Sequence, residues 1–261
     1  MEGIRIKAPA KINLMLDILD KRPDGFHEIV SVMQTVSLYD EITAAKMKSP
    51  GIEVHCDAPG VPEDAGNTAY RAAEVFIRDC GIEEGIRIDI KKRIPVQAGL
   101  AGGSTDAAAV LRALNIMYGA GLSREELERK GALIGSDVPF CIRGGTAVCT
   151  GRGEKVFTAC ALSRGNIVII KPGISVSTAE AYRMLDDHPE REHYDIGRVL
   201  SALEQGDLDL LARAAGNSFQ SFTEQREHQV REAIELLKEH GACLSVMSGS
   251  GPSVFGIFED P

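Results

Sequence analysis

The segment Gly99-Leu100-Ala101-Gly102-Gly103-Ser104-Thr105-Asp106 constrains this chain more than any other. Three glycines within five residues let a backbone approach a ligand closely and turn its amides inward. Ala107, Ala108, Val110, Leu111 and Leu114 follow with the period of an amphipathic helix. Ser104, Thr105 and Asp106 are all residues that suit a helix start. A glycine loop that empties into a helix presents unpaired N–H groups and the positive end of the helix dipole, which favour an anion, above all phosphate. A hydroxyl at Ser104 or Thr105 adds an oxygen toward phosphate or Mg²⁺. Three other phosphate loops fail the comparison. The chain has no Gly-Lys pair for G-x-x-x-x-G-K-[ST], its glycines do not fit G-x-G-x-x-G, and it has no His-Arg-Asp.

Around this loop the pattern alternates between strands and helices. In Lys11–Ile18, the residues Ile12, Leu14, Leu16 and Ile18 point one way and Lys11, Asn13 and Asp17 the other, which predicts a strand with one buried face. A lysine on the exposed face of such a strand is ordinarily solvated. Arg22-Pro23-Asp24-Gly25 reads as a turn. Residues 67–78 are helical in pattern and 86–94 alternate again. Ser123 to Glu126 and Ser177 to Glu180 have the spacing of capping boxes. The second opens a helix through Leu185, and residues 166–171 form an apolar strand. Residues 194–240 read as helices. Residues 243–258 read as strand, Ser/Gly-rich loop, strand, the loop being either an amide nest or a hairpin turn. In Ile134-Gly135-Ser136-Asp137-Val138, an aspartate just past a helix end is either a turn former or a tuned carboxylate. The sum is an α+β chain in two halves, divided between residues 155 and 165.

Composition narrows the function classes. A net charge of −9 with no run of Lys and Arg argues against nucleic acid, while a small polyanion can be held locally by amides and one or two cations. The charged start Met1-Glu2-Gly3-Ile4-Arg5 lacks the apolar core of a signal peptide, and no apolar run approaches the ~20 residues of a membrane span. The six cysteines include no C-x-x-C pair, which predicts reduced, mostly buried thiols in a cytoplasmic protein rather than a zinc site.

Pro9-Ala-Lys-Ile-Asn13, Gly99-Leu-Ala-Gly-Gly-Ser-Thr-Asp-Ala107 and Met247-Ser-Gly-Ser-Gly251 together resemble, in order and separation, the three motifs of the GHMP kinase superfamily. Arg22-Pro-Asp-Gly-Phe-His27 and Gly135-Ser-Asp-Val-Pro139 resemble segments of the branch that phosphorylates a cytidine diphosphate conjugate of a methylated tetritol. The similarity spans nearly the whole chain. It implies a two-domain GHMP kinase fold, with an N-terminal half like ribosomal protein S5 domain 2 over residues 1–158. A ferredoxin-like C-terminal half would cover residues 159–261, with the active site in the cleft between the halves. It implies ATP with Mg²⁺ and phosphorylation of an alcohol on the non-mevalonate route to isoprenoid precursors, by a cytoplasmic monomer or weak homodimer with no nucleic-acid or membrane partner.

By position, Lys11 and Asp137 match the family's catalytic pair. Gly99, Leu100, Ala101, Gly102, Gly103, Ser104 and Thr105 match the phosphate loop, with Ser104 also a candidate Mg²⁺ contact. Asn67 matches a position lining the ATP site. Asn13, Phe26, His27, Thr178 and Tyr182 match the substrate side, His27 reading the cytosine edge and Tyr182 stacking on the base. Ala101 departs from the glycine that many members carry, which is tolerable if its φ stays negative. Other acceptors (homoserine, mevalonate, sugars) or a catalytically silent sensor of nucleotide or metabolite would share the glycine loop but leave Arg22–His27 idle or the catalytic pair unused.

Overall fold

The computed structural model describes residues 3–187 and 192–259, so Met1 and Glu2 of the charged start lie outside the described residues. In chain order the elements are β1 (Ile4–Lys21), β2 (His27–Met47), β3 (Ile52–Cys56), α1 (Thr68–Cys80), β4 (Gly85–Lys91), α2 (Gly102–Tyr118), α3 (Arg124–Ala132), α4 (Val138–Arg143), β5 (Thr146–Gly151), β6 (Lys155–Thr158), β7 (Asn166–Ile170), α5 (Thr178–Asp186), α6 (Ile196–Gln205), α7 (Leu208–Ala214), β8 (Gly216–Asn217), α8 (Gln220–Arg226), α9 (His228–Glu239), β9 (Leu244–Met247) and β10 (Val254–Phe258). The fold is α+β in two compact units. The units interleave along the chain. One holds the chain up to Ala10, Ser37–Val96 and Ala101–Gly144; the other holds Lys11–Val36, Gln97–Leu100 and the chain from Gly145 onward. The reason is the length of β1 and β2, 18 and 21 residues, each contributing one end to either unit.

In the first unit β3 runs parallel to β4, Val54 opposite Ile88, and β4 antiparallel to the C-terminal end of β2, Thr43 opposite Asp89. The helix α1 packs on α2. Ala69, Ala72, Ala73 and Ala107–Ala109 are buried, and such small side chains let the helices come close. α1 starts at Asn67, whose side chain accepts from the Ala69 amide, and stops at Gly81 in the left-handed conformation at φ 63°. The capping box at Ser123 and Glu126 is formed at the start of α3.

In the second unit the N-terminal end of β2 pairs antiparallel with β5, Val32 opposite Val148, and β5 with β6. β1 pairs parallel with the short β8 through Met15 and Leu16. A second sheet, β7-β10-β9, is antiparallel throughout and packs against α9. Leu16, Ile18, Phe219, Val230, Ile234 and Val254 are among the side chains of its core.

Several expectations change. The face of β1 that carries Lys11, Asn13 and Asp17 is buried, not solvated, because each polar group has a partner: Asn13 Nδ2 donates to Ser31 Oγ at 2.8 Å, and Asp17 accepts from the Tyr194 amide at 3.1 Å. Ser177 precedes α5 but makes no capping hydrogen bond. Cys141 and Cys149 are buried, whereas Cys160 is exposed. β2, α4 and β8 were not legible in the pattern, β8 because two residues carry no periodicity. No helix among the described residues is long and apolar enough to cross a membrane.

Candidate active site

The glycine loop forms the first cluster. α2 begins at Gly102, two residues before the first expected capping residue, and its N-cap is Ala101, whose methyl cannot cap. The amides of Gly102, Gly103 and Ser104 therefore occupy the first turn, where no carbonyl lies four residues back; the Thr105 amide is the first with such a partner, Ala101 O at 2.9 Å. Ala101 sits at φ 59°, so its φ is positive, contrary to the expectation. The loop preserves the left-handed turn that glycine would supply and takes the strain of a Cβ there. Gly99, at φ 73°, tolerates no side chain: a Cβ would collide with the Ser248 carbonyl.

Three bonds hold the first turn of α2. Thr105 is buried and its hydroxyl donates to Pro9 O at 2.8 Å, so this hydroxyl braces the helix on β1 and does not face a ligand. Thr68 donates to Gly103 O at 2.6 Å. Beneath the turn, Lys92 Nζ meets Asp106 Oδ2 at 2.8 Å and also Asp40, and a methyl on Gly102 would stand 3.2 Å from that ammonium. Burial pushes the Asp106 carboxyl up to about 7, against the pull of Lys92 and with that of Asp40. Burial draws the Lys92 ammonium down, but Asp106 and Asp40 outweigh it and its pKa is raised. No local spacing links Asp40, Lys92 and Asp106, so sequence reasoning missed the triad.

Asp137 belongs to the same unit. It is half-buried, stands at the N-cap of α4 and makes no capping hydrogen bond. A methyl on Gly135, two residues before it, would stand 3.9 Å from Ser104 Oγ, which brings the Asp137 segment beside the glycine loop. Asn67, the expected ATP-side residue, is fully engaged: Oδ1 on Ala69 N at 2.8 Å and Nδ2 on Pro62 O at 2.6 Å. Its neighbour Thr68 is the residue that reaches the loop.

The second unit contains Lys11 and Asn13 of the first motif, Gly99 and Leu100 of the glycine loop, and the third motif. Lys11 is 4% exposed, and its Nζ donates to Asn13 Oδ1 at 2.7 Å and to Gly99 O at 3.0 Å. Ser248 Oγ donates to the same Gly99 carbonyl at 3.0 Å. A Cβ on Gly249 would stand 3.0 Å from Gly99 O and 3.3 Å from Lys11 Nζ, so the third glycine motif is shaped by the lysine it encloses. Asn217, unforeseen in the sequence, fixes that loop by donating to the carbonyls of Met247 and Gly249 at 2.7 and 2.8 Å. Both polar ends of Asn13 are engaged, by Lys11 and Ser31.

Arg22–His27 is the turn between β1 and β2. Arg22 N donates to Phe26 O at 2.7 Å, Gly25 has φ 85°, and the Arg22 guanidinium bridges Asp24 and Glu28. Asp24 is thereby held below the usual carboxylate range by Arg22. The turn sends consecutive aromatic rings opposite ways. Phe26 is 49% exposed under the Arg152 guanidinium, 5.0 Å from its ring centre, while His27 is buried. His27 stacks on Tyr182 with centroids 4.8 Å apart, and the edge of that pair is closed by Phe219 at 4.9 Å from Tyr182. His27 Nε2 lies 2.6 Å from Asp186 Oδ1. Thr178 Oγ1 and Ser250 Oγ are 2.9 Å apart, tying the start of α5 to the third glycine loop.

Residues 67–145 match the family model described as the GHMP kinases N terminal domain, and residues 199–261 the model described as GHMP kinases C terminal. The chain belongs to the GHMP kinase family. Within that family it is 45% identical over 253 residues to the 4-diphosphocytidyl-2-C-methyl-D-erythritol kinase of Caldicellulosiruptor saccharolyticus, covering 97% of this chain and 87% of that one. To the enzyme of the same name from Geobacillus thermodenitrificans it is 46% identical over 260 residues, 98% of this chain and 88% of that one. A crystal structure of 4-(cytidine 5'-diphospho)-2C-methyl-D-erythritol kinase superposes with a TM-score of 0.81 at 32% identity, over 99% of this chain and 91% of that one. Homoserine kinase from Cytophaga hutchinsonii, at 20% identity and a TM-score of 0.79 over 99% of this chain and 86% of that one, shares the fold.

Proposed function

We propose that this GHMP kinase transfers the γ-phosphoryl group of ATP to the 2-hydroxyl of 4-diphosphocytidyl-2-C-methyl-D-erythritol, on the non-mevalonate route to isoprenoid precursors. The attacking hydroxyl oxygen forms a bond to the γ-phosphorus, the bond from that phosphorus to the bridging oxygen breaks, and ADP leaves. Asp137 takes the hydroxyl proton. The Lys11 ammonium stabilises charge that develops on the reacting oxygens, and Asn13 aims that ammonium. Phosphoryl transfer requires mainly alignment and charge neutralisation, so a single carboxylate and a single fixed cation suffice as reacting side chains.

ATP phosphates lie against Gly99–Ser104, whose first-turn amides are left open by the alanine cap. Thr105 and Asn67 serve this site as braces, Asn67 through Thr68. Mg²⁺, when bound with ATP, neutralises phosphate charge. Ser104 offers a hard oxygen of the kind it prefers, beside those of phosphate and water. We assign ATP binding to residues 1–158 and the substrate-side contacts of Thr178 and Tyr182 to residues 159–261. The acidic balance of −9 disfavours nucleic acid and anionic membrane surfaces as partners, and we infer a cytoplasmic monomer or weak homodimer.

The observation that carries the choice of acceptor is the Arg22–His27 turn, which sets a buried histidine against Tyr182. Aromatic rings and one polar ring edge suit a nucleobase, stacking being worth roughly 1–3 kcal/mol per base. An acceptor such as homoserine or mevalonate would leave this apparatus without a role. His27→Ala is expected to raise KM for the cytidine substrate at least about tenfold while KM for ATP stays within about twofold. Equal changes in both constants would remove His27 from substrate recognition.

A further inference from the structure

Asp186 stands at the last position of α5, where the helix dipole disfavours a carboxylate. Its two oxygens have separate tasks. Oδ2 meets Lys21 Nζ at the end of β1, and Oδ1 lies 2.6 Å from His27 Nε2. Lys21, and then His27, holds this carboxyl below the usual carboxylate range, so at neutral pH it only accepts hydrogen bonds. Tyr182 lies four residues earlier on the same helix face and stacks on the same imidazole. One turn of α5 therefore fixes both the plane of the His27 ring and the nitrogen that faces the carboxylate.

We propose that Asp186 is a positioning residue that sets the cytidine specificity of the site by holding His27 with its proton on Nε2, which leaves Nδ1 as a hydrogen-bond acceptor. The inference rests on the reading of His27 as the base-recognising residue. A carboxylate beside one imidazole nitrogen fixes the tautomer, because the facing nitrogen must donate. The remaining nitrogen of the neutral ring then offers a lone pair. Cytosine presents its exocyclic N4 amine as a donor to such a lone pair. Uracil presents a carbonyl oxygen at the same place, and two acceptors facing each other leave both unpaired in a buried site. Lys21 engages the other oxygen, Oδ2, so the contact of Oδ1 with His27 is separate from it.

The test is ¹⁵N NMR of the full-length protein labelled at its six histidines, with the His27 signals assigned by their loss in His27→Gln. It is read beside kcat and KM for the cytidine substrate and its uridine counterpart. In the unaltered protein Nε2 is expected to carry the proton and Nδ1 to be unprotonated. In Asp186→Ala the two nitrogens should become mixed in protonation, KM for the cytidine substrate should rise about 10- to 100-fold with a much smaller fall in kcat, and the preference for cytidine over uridine should drop about tenfold. Lys21→Met, which leaves the Asp186–His27 contact in place, should keep the tautomer and guards against a variant that simply fails to fold. A His27 spectrum unchanged in Asp186→Ala, or protons on both nitrogens in the unaltered protein, overturns the assignment of Asp186 and leaves the base-reading role of His27 standing. A changed tautomer with an unchanged preference for cytidine overturns the specificity role, and with it the reading of His27 as the residue that recognises the base.

Discussion

A lysine on a strand is ordinarily solvated, yet Lys11 is buried with two carbonyl-type acceptors on its ammonium. Nothing in its own alternating segment reveals this, because the acceptors come from Asn13 beside it and from Gly99, far along the chain. Asp137 was equally ambiguous as a local pattern, and its lack of a capping bond is visible only in the fold. If Asp137 takes the proton, Asp137→Asn should lower kcat by about 10²- to 10⁴-fold while KM for the cytidine substrate changes little, in steady-state assays with saturating ATP. Near-normal turnover would sink the general-base role. Asp106 gives a prediction about stability. Unfolded, an aspartate titrates near ~3.9; folded, Asp106 titrates at about 7 because burial penalises its charge. The folded state therefore holds the proton more tightly, and this contribution is full below the ordinary aspartate range and lost as pH rises through 7. Asp106→Asn removes the penalty, so thermal melts should show the variant gaining on the unaltered protein between pH 5 and pH 8. A gain in the opposite direction would mean that the lost Lys92 contact outweighs the relieved charge.

Among elements, those with a long period or a chemical punctuation mark were legible: α1 with Asn67 and Gly81, α3 with its capping box, β7, β9 and β10 around the last glycine motif. The glycine loop was legible as a tight turn running into a helix, but its details were not. Ser104, Thr105 and Asp106 look like caps and instead lie inside the first turn, with Ala101 in the left-handed conformation before them. A Cβ at that φ costs about 1–2 kcal/mol relative to glycine. Ala101→Gly should therefore stabilise the protein by up to about 1 kcal/mol, after the extra entropy of glycine in the unfolded chain, and leave KM for ATP unaltered. Chemical denaturation read beside ATP kinetics checks both. Destabilisation by more than about 1 kcal/mol would show that the methyl contributes packing that outweighs its strain.

For the molecule as a whole, the α+β class and the order of the three glycine-rich and lysine motifs were visible in the linear sequence, whereas the interleaving of the units was not. β2, 21 residues long, mixes apolar, polar and charged positions because different stretches face different neighbours, so no single period describes it. The His27–Asp186 and Asp40–Lys92–Asp106 groupings join residues 14 to 159 positions apart and on different elements, where local patterns carry no signal. The central claim is phosphorylation of one cytidine-bearing alcohol. It is tested most directly by ADP release from the purified protein with Mg-ATP and a panel of acceptors: 4-diphosphocytidyl-2-C-methyl-D-erythritol, homoserine, mevalonate, galactose and none. Turnover with the cytidine compound alone is the predicted result. Turnover with another alcohol in its place, or silence across the panel while ATP still binds, would contradict it.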